Sequence, residues 1–257
     1  IPIPLYQDAV SAEFVFPINN ADVRFAVVED QEQVDKMLEI REQCPQLQHI
    51  WFDDPRGLRN YEEPGLSSMD DLQAQGAKHI AQHAGFFDQA VQQCKPQDVA
   101  AMFFTSGTTG NPKGVVHTHF TMLDRASAGA KFDHLSEHEE VLAYLPPAWI
   151  GQNIFSYAQW LCCGYVVNCP ESAATVTIDM KEIGPTYYFA PPRVFEGLLT
   201  TVMIRMEDAG WIKRKAYGYF MGVARRAGIA LMAGKPVSLA DRLLFVDPPD
   251  DGAPFAD

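Results

Sequence analysis

From Phe103 to Gly114 the chain reads Phe-Phe-Thr-Ser-Gly-Thr-Thr-Gly-Asn-Pro-Lys-Gly, a run of small and hydroxyl-bearing residues with a lysine near its end. These residue types can hold an anion. Ser106, Thr108 and Thr109 offer hydroxyl donors, and successive backbone N–H groups in such a turn form a concavity that suits phosphate oxygens. Gly107, Gly110 and Gly114 permit positive φ and leave no Cβ in the path of an approaching phosphate. Lys113 adds a point positive charge, and Pro112 holds Asn111 extended, which stiffens the far end of the loop. The Walker spacing G-x-x-x-x-G-K-[S/T] fails, because Pro112 stands fifth after Gly107 and Gly114 follows Lys113.

The elements on either side must position this loop. Ala100–Phe104 is an apolar strand that runs straight into it, and Gly114–His117 reads as a second short strand leaving it. A strand–loop–strand setting lacks the helix N-terminus on which Walker loops rely. A flexible glycine-rich hairpin is the plain reading of a short Ser/Thr/Gly cluster. Ten specified positions with a lysine near the end argue for a phosphate cradle instead.

Upstream, strand-like and helix-like patterns alternate. Ile1–Tyr6 suits the start of a buried strand, and Ser11–Phe16 a short helix with Ser11 as its N-cap. Val23–Val28 and Leu47–Phe52 read as strands. Gln31–Glu42 is an amphipathic helix, and Ser67–His83 a capped one with Asp70 and Asp71 near its positive end. Downstream, strands are predicted at Val141–Leu145, Tyr165–Asn168 and Tyr187–Ala190. Helices are predicted at Thr121–Lys131, Asn153–Cys162 and Val176–Ile183, with Phe195–Met232 mostly helical and divided by glycines. The fold class expected is α/β, with parallel-rich sheets flanked by helices. The division expected is a first α/β subdomain over 1–120, a second with a long helical stretch over 121–244, and a disordered tail over 245–257.

Composition narrows the partners. The 257 residues carry a net charge of −13, which disfavours nucleic acid held by bulk electrostatics. Five cysteines form no paired framework and read as reduced thiols of a cytoplasmic protein. No apolar run reaches the roughly 18 residues of a membrane span. The opening Ile1-Pro2-Ile3-Pro4-Leu5-Tyr6 has no basic region of a signal peptide, and it reads as a strand entered in mid-course, as in a piece of a longer chain.

The string Thr105-Ser106-Gly107-Thr108-Thr109-Gly110-Asn111-Pro112-Lys113-Gly114 resembles the phosphate-binding signature of the adenylate-forming superfamily, which includes acyl-CoA synthetases, luciferases and peptide-synthetase adenylation domains. The resemblance implies that Thr105, Ser106, Gly107, Thr108, Thr109, Gly110 and Lys113 hold the β- and γ-phosphates of ATP while a carboxylate attacks the α-phosphorus. It gives Lys113 and Thr108 catalytic roles. The segment from Tyr144 to Gln152 is similar to one that lines the acyl pocket in long-chain fatty acyl members, with Trp149 and Gln152 standing where those have histidine and glutamate. Pro191-Pro192-Arg193-Val194-Phe195-Glu196 and the helical stretch after it are similar to the same members. Implied substrates are a fatty acid, ATP and CoA, with Mg2+. No Tyr-Gly-x-Thr-Glu or Thr-Gly-Asp string occurs, and the family's hinge motif and late lysine are missing. A non-catalytic fragment, binding nucleotide phosphate weakly or associating with a partner, is therefore the alternative for the isolated chain.

Other clusters read as surface or core. His117 and His119 lack a nearby carboxylate or cysteine in sequence to complete a metal set, so no metal site is expected. Ser106 lacks the G-x-S-x-G elbow of a nucleophile. Arg205, Lys213, Arg214, Lys215, Arg225 and Arg226 read first as a solvated face, with a CoA-phosphate or peripheral membrane contact as the alternative. Met203, Ile204, Met206, Phe220, Met221 and Met232 read as core, or as wall of an acyl tunnel.

Overall fold

The structure, a computed structural model, describes residues 1–105 and 111–244. The expected disordered tail, 245–257, lies outside the described residues. Two compact units divide the chain, Ile1–Tyr188 and a second that begins at Phe189.

The first unit opens with α1, Ser11–Asn20, then β1, Phe25–Val28, and α2, Gln31–Glu39, followed by a 3-10 turn at Arg41–Gln43. Strands β2, His49–Phe52, and β3, Leu66–Ser68, complete a parallel sheet in the order β1-β2-β3. Phe25 lies opposite His49, and Ile50 opposite Leu66. Asp30 caps α2 by accepting from Gln33 N at 3.2 Å. One apolar face of each helix meets the sheet, and Phe14, Ile18, Met37, Ile40, Leu47 and Ile50 form a single buried cluster. Each such side chain contributes about 1.5–3 kcal/mol by leaving water.

Two expectations fail in this region. Ile1–Tyr6 forms no strand; its one ladder-like contact is Pro2 O accepting from Met102 N at 3.1 Å. Pro2 and Pro4 have no N–H to give a neighbouring strand, which is why extended chain here does not become sheet. Ser11 is not the N-cap of α1. Val10 holds that position, and the Ser11 hydroxyl donates to Glu39 Oε2 at 2.6 Å, tying α1 to the end of α2.

Helix α3, Met69–Gln82, starts on a capping box: Ser68 Oγ accepts from Asp71 N at 3.1 Å, and Asp71 Oδ2 accepts from Ser68 N at 3.3 Å. Helix α4, Phe86–Gln93, follows a left-handed Gly85, a conformation that favours glycine. Then come β4, Val99–Thr105, and β5, Lys113–Thr118, an antiparallel pair. Helix α5, His119–Phe132, is capped by Thr118, whose Oγ1 accepts from Thr121 N at 3.1 Å.

Strand β6, Glu140–Leu142, pairs in parallel with β7, Val166–Asn168. Between them runs one helical stretch: α6, Ile150–Gln152, a π segment, Asn153–Ala158, and α7, Gln159–Cys163. Gly129 on α5 faces Gln159, and a Cβ there would come within 2.9 Å of Gln159 Nε2. Glycine thus permits the close approach of these helices. Helix α8, Val176–Ile183, falls on its predicted span. Tyr187–Ala190, expected as a strand, contributes one bridge, Tyr187 to Val141.

The second unit is helical: α9, Pro192–Glu207, α10, Trp211–Met232, and α11, Leu239–Leu244. Gly210 separates α9 from α10. Gly218, Gly222 and Gly228, expected to divide the helix, lie inside α10 without breaking it. An isolated glycine costs a helix only about 1 kcal/mol relative to alanine.

Candidate nucleotide-phosphate site

Strands β4 and β5 determine where the lysine of the loop stands. The hairpin register sets Thr105 opposite Lys113 and Phe104 opposite Gly114, so both ends of the loop are held by one ladder. Thr105 Oγ1 donates to Lys113 O at 3.4 Å. Both side chains are exposed. Ala101 and Phe103, on the same face of β4 as Thr105, are buried at 6% and 4% exposure. That face anchors the strand in the interior, and at Thr105 the strand runs out into solvent.

Ser106, Gly107, Thr108, Thr109 and Gly110 lie outside the described residues. The described part of the site is its rim: Thr105, Asn111, Pro112, Lys113 and Gly114. Gly114 serves a purpose other than positive φ. A Cβ there would fall 2.0 Å from Met102 Cε, so the hairpin packs its own methionine over that glycine.

Beside the rim opens a cleft of about 540 Å³. Thr105, Asn111 and Pro112 line one side, Glu13, Phe16 and Tyr6 another, and Ala148 and Trp149 a third. Glu13 supplies the acidic side chain in an otherwise largely apolar lining. The Tyr6 and Trp149 rings meet at 6.2 Å and 45°. Phe16 meets Phe104 edge-on at 6.4 Å. Trp149, singled out from the sequence, thus shares a cleft with Thr105, Asn111 and Pro112 at the ends of the glycine-rich loop.

Gln152 does not line that cleft. Its side chain is 2% exposed, and Oε1 accepts from Leu145 N at 3.2 Å. Asn153 Nδ2 donates to Pro147 O at 2.8 Å and to Trp149 O at 3.0 Å. Gln152 and Asn153 together tie the turn that carries Trp149 to the helix following it. A π segment begins at that same asparagine, and such segments recur beside functional sites. Tyr6, Glu13, Phe16 and Asn153 are site residues that sequence reasoning missed. Asn153, four residues after Trp149, alone carried a local signal, as a short amide beside a proline-rich turn.

The remaining candidates fall elsewhere. The His117 ring packs against Phe103, 5.9 Å between centroids. His119 Nε2 lies 3.5 Å from Cys94 Sγ. Among the described residues no group of three or more His, Cys, Asp or Glu side chains is placed to hold a metal ion. Tyr187 donates to Asp133 Oδ2 at 2.9 Å, and burial pushes its phenol well above the ordinary tyrosine range. Burial does the same to Tyr144 and Tyr165.

The sequence matches the family described as AMP-binding enzyme over residues 1–241. A protein of Mycobacterium tuberculosis named as fatty-acid–CoA ligase fadD11 is 32% identical over 193 residues, covering 73% of this chain and 32% of its own length. Long-chain-fatty-acid–CoA ligase ACSBG2 of Xenopus laevis is 28% identical over 242 residues, covering 88% of this chain and 32% of its own. The chain thus spans about a third of the length of these relatives. Among solved structures, the adenylation domain of a carboxylate reductase from Mycobacterium chelonae superposes with a TM-score of 0.63 at 15% identity, over 81% of this chain and 34% of that one. At that identity the similarity bears on the fold alone.

Proposed function

Because the chain belongs to the AMP-binding enzyme family, we propose that it supplies the phosphate-binding hairpin of a fatty acid–CoA ligase. In this reading the carboxylate of a fatty acid attacks the α-phosphorus of ATP and pyrophosphate leaves. The thiol of CoA then displaces AMP from the acyl-adenylate. The observation that carries the reading is the β4–β5 register, which holds Thr105 and Lys113 together at the two ends of the loop, beside an apolar cleft.

In this reading Lys113 and Thr108 neutralise charge that grows on the leaving pyrophosphate, and Ser106, Thr109 and the N–H groups of Gly107 and Gly110 supply further donors. Each preorganised donor of this kind contributes up to about 3–4 kcal/mol to the transition state. ATP is taken to bring Mg2+ on its own phosphate oxygens, and no step is assigned to the ion. Trp149 forms a wall of the acyl pocket. Gln152 acts on that pocket through the backbone it ties at Leu145 rather than by touching the acid.

The relatives named as fatty-acid–CoA ligases support the choice of acid. The test is formation of acyl-CoA from ATP, CoA and a panel of fatty, aryl and amino acids, in a chain extended to the relatives' length. Turnover confined to aryl or amino acids would overturn the fatty-acid assignment. A second reading concerns the 257 residues alone. The absence of the Tyr-Gly-x-Thr-Glu and Thr-Gly-Asp strings favours a chain that binds nucleotide phosphate weakly and does not turn over. Acyl-CoA formation by the isolated chain would remove that reading.

A further inference from the structure

Cys94 and His119 bring a thiol and an imidazole together at a place the proposed reaction does not use. Cys94 ends α4 and His119 is the first residue of α5, and Cys94 Sγ lies 3.5 Å from His119 Nε2. That is hydrogen-bond distance for a sulfur. With its proton on Nδ1, the neutral ring presents a lone pair at Nε2, and the thiol donates to it.

The backbone around the pair fixes this approach. The turn from Lys95 to Asp98 is closed twice: Asp98 N donates to Lys95 O at 3.0 Å, and Asp98 Oδ2 accepts from Lys95 N at 2.8 Å. His119 N donates to Asp98 O at 3.1 Å, and Phe120 N to Pro96 O at 2.8 Å. The segment after Cys94 is thereby stitched to the segment that carries His119, at the end of the hairpin where Val99 lies opposite Thr118. The capping box of Thr118 and Thr121 holds the first turn of α5 in place. The other four thiols lack such a base. Cys44 is buried and Cys163 half-buried, and burial pushes both thiols up. Cys162 is exposed, and its sulfur lies 3.9 Å from Leu123 O, a carbonyl that cannot take up a proton. Cys169 is exposed, with no side-chain hydrogen bond among the described residues.

We propose that Cys94 is a site of mixed-disulfide formation with low-molecular-weight disulfides, and that His119 is its base. As Cys94 Sγ attacks one sulfur of the disulfide, the thiol proton passes to His119 Nε2. The new S–S bond forms as the old one breaks, and the departing thiolate takes the proton from the imidazolium. One disulfide is consumed and one is formed, so the exchange needs no other oxidant. A nucleophile and a base within hydrogen-bond reach are what such a step requires. The site is separate from the phosphate loop, since β4 runs about 20 Å from Val99 to Thr105. The proposal holds whatever the loop binds.

Glutathione disulfide is the probe, added to the 257-residue chain at neutral pH, with each modified cysteine located by tandem mass spectrometry. Cys94 should be modified at least about tenfold faster than Cys162 or Cys169. His119→Gln, at an exposed position, should bring Cys94 down to the rate of those two and leave theirs unchanged, with far-UV circular dichroism intact. Should that variant misfold, the unsubstituted chain gives a second reading. At about pH 9.5, above the ordinary thiol value of about 8.5, solvent deprotonates exposed thiols unaided, and the advantage of Cys94 should shrink to about threefold or less. Cys94 reacting no faster than Cys162 and Cys169, an undiminished rate in the folded variant, or an advantage kept in full at the higher pH would overturn the proposal. So would loss of the Cys94 modification in a chain extended to the relatives' length.

Discussion

The three-stranded sheet at the start of the chain and the helices after Phe189 make opposite use of their apolar residues. In the first, α1 and α2 close over β1–β3, and Phe14, Ile18, Ile40 and Ile50 are all but removed from water. In the second, Val223 and Ala227 are the only fully buried apolar side chains among the described residues, while Trp211, Ile212, Ile229 and Met232 stand open. The first region buries one face of its sheet in this way, while Phe25 and Val27 of β1 are 51% and 64% exposed. The second leaves most of its large apolar side chains exposed. Helical form alone does not distinguish them, since local propensity and hydrogen bonding build α10 without a core beneath it.

That contrast can be broken by mutation. The largest effect expected is at the first core: Phe14→Ala should cost about 3–5 kcal/mol of unfolding free energy, read by urea denaturation. Next comes alkaline pH. Burial raises the phenols of Tyr144, Tyr165 and Tyr187, so their neutral forms stabilise the fold. That stability is complete below the unfolded tyrosine value of about 10 and is lost as pH rises beyond it toward the folded values. The thermal midpoint of the first unit should therefore hold at neutral pH and fall above about pH 10. A flat midpoint through that range would mean these phenols are not buried. Thr118→Ala, which removes the cap of α5, should cost about 1 kcal/mol by the same denaturation. Smallest of all, Ile229→Ala should change stability by no more than about 0.5 kcal/mol. If Ile229→Ala cost as much as Phe14→Ala, the second unit would have a core of its own and the contrast would fail.

Much of this was legible before any coordinates. The hairpin around the loop, α8 and the long helices declared themselves because apolar runs and periodicity are local signals. Strand β3 did not, since Leu66–Ser68 is three residues with no period to detect. Ser11 looked like a cap by type, and the Glu39 carboxylate drew its hydroxyl away. The cleft was half visible. Thr105, Lys113 and Trp149 carried motif signals, whereas Tyr6 and Glu13 reach it from about a hundred residues away, and only the packing of α1 beside β4 brings them there. Gln152 was found by position in a motif, and its place in the fold, buried against Leu145 N, assigns it to support.

The most direct test of the central claim is ATP–pyrophosphate exchange driven by a fatty acid, in a chain extended to the relatives' length. Lys113→Ala should lower the exchange rate by about 10²–10³-fold, the usual effect of removing one preorganised charge-stabilising donor. The substitution is at an exposed residue, so folding should be intact by circular dichroism. An exchange rate equal to the unsubstituted protein's would contradict the assignment of this hairpin to the phosphates of ATP.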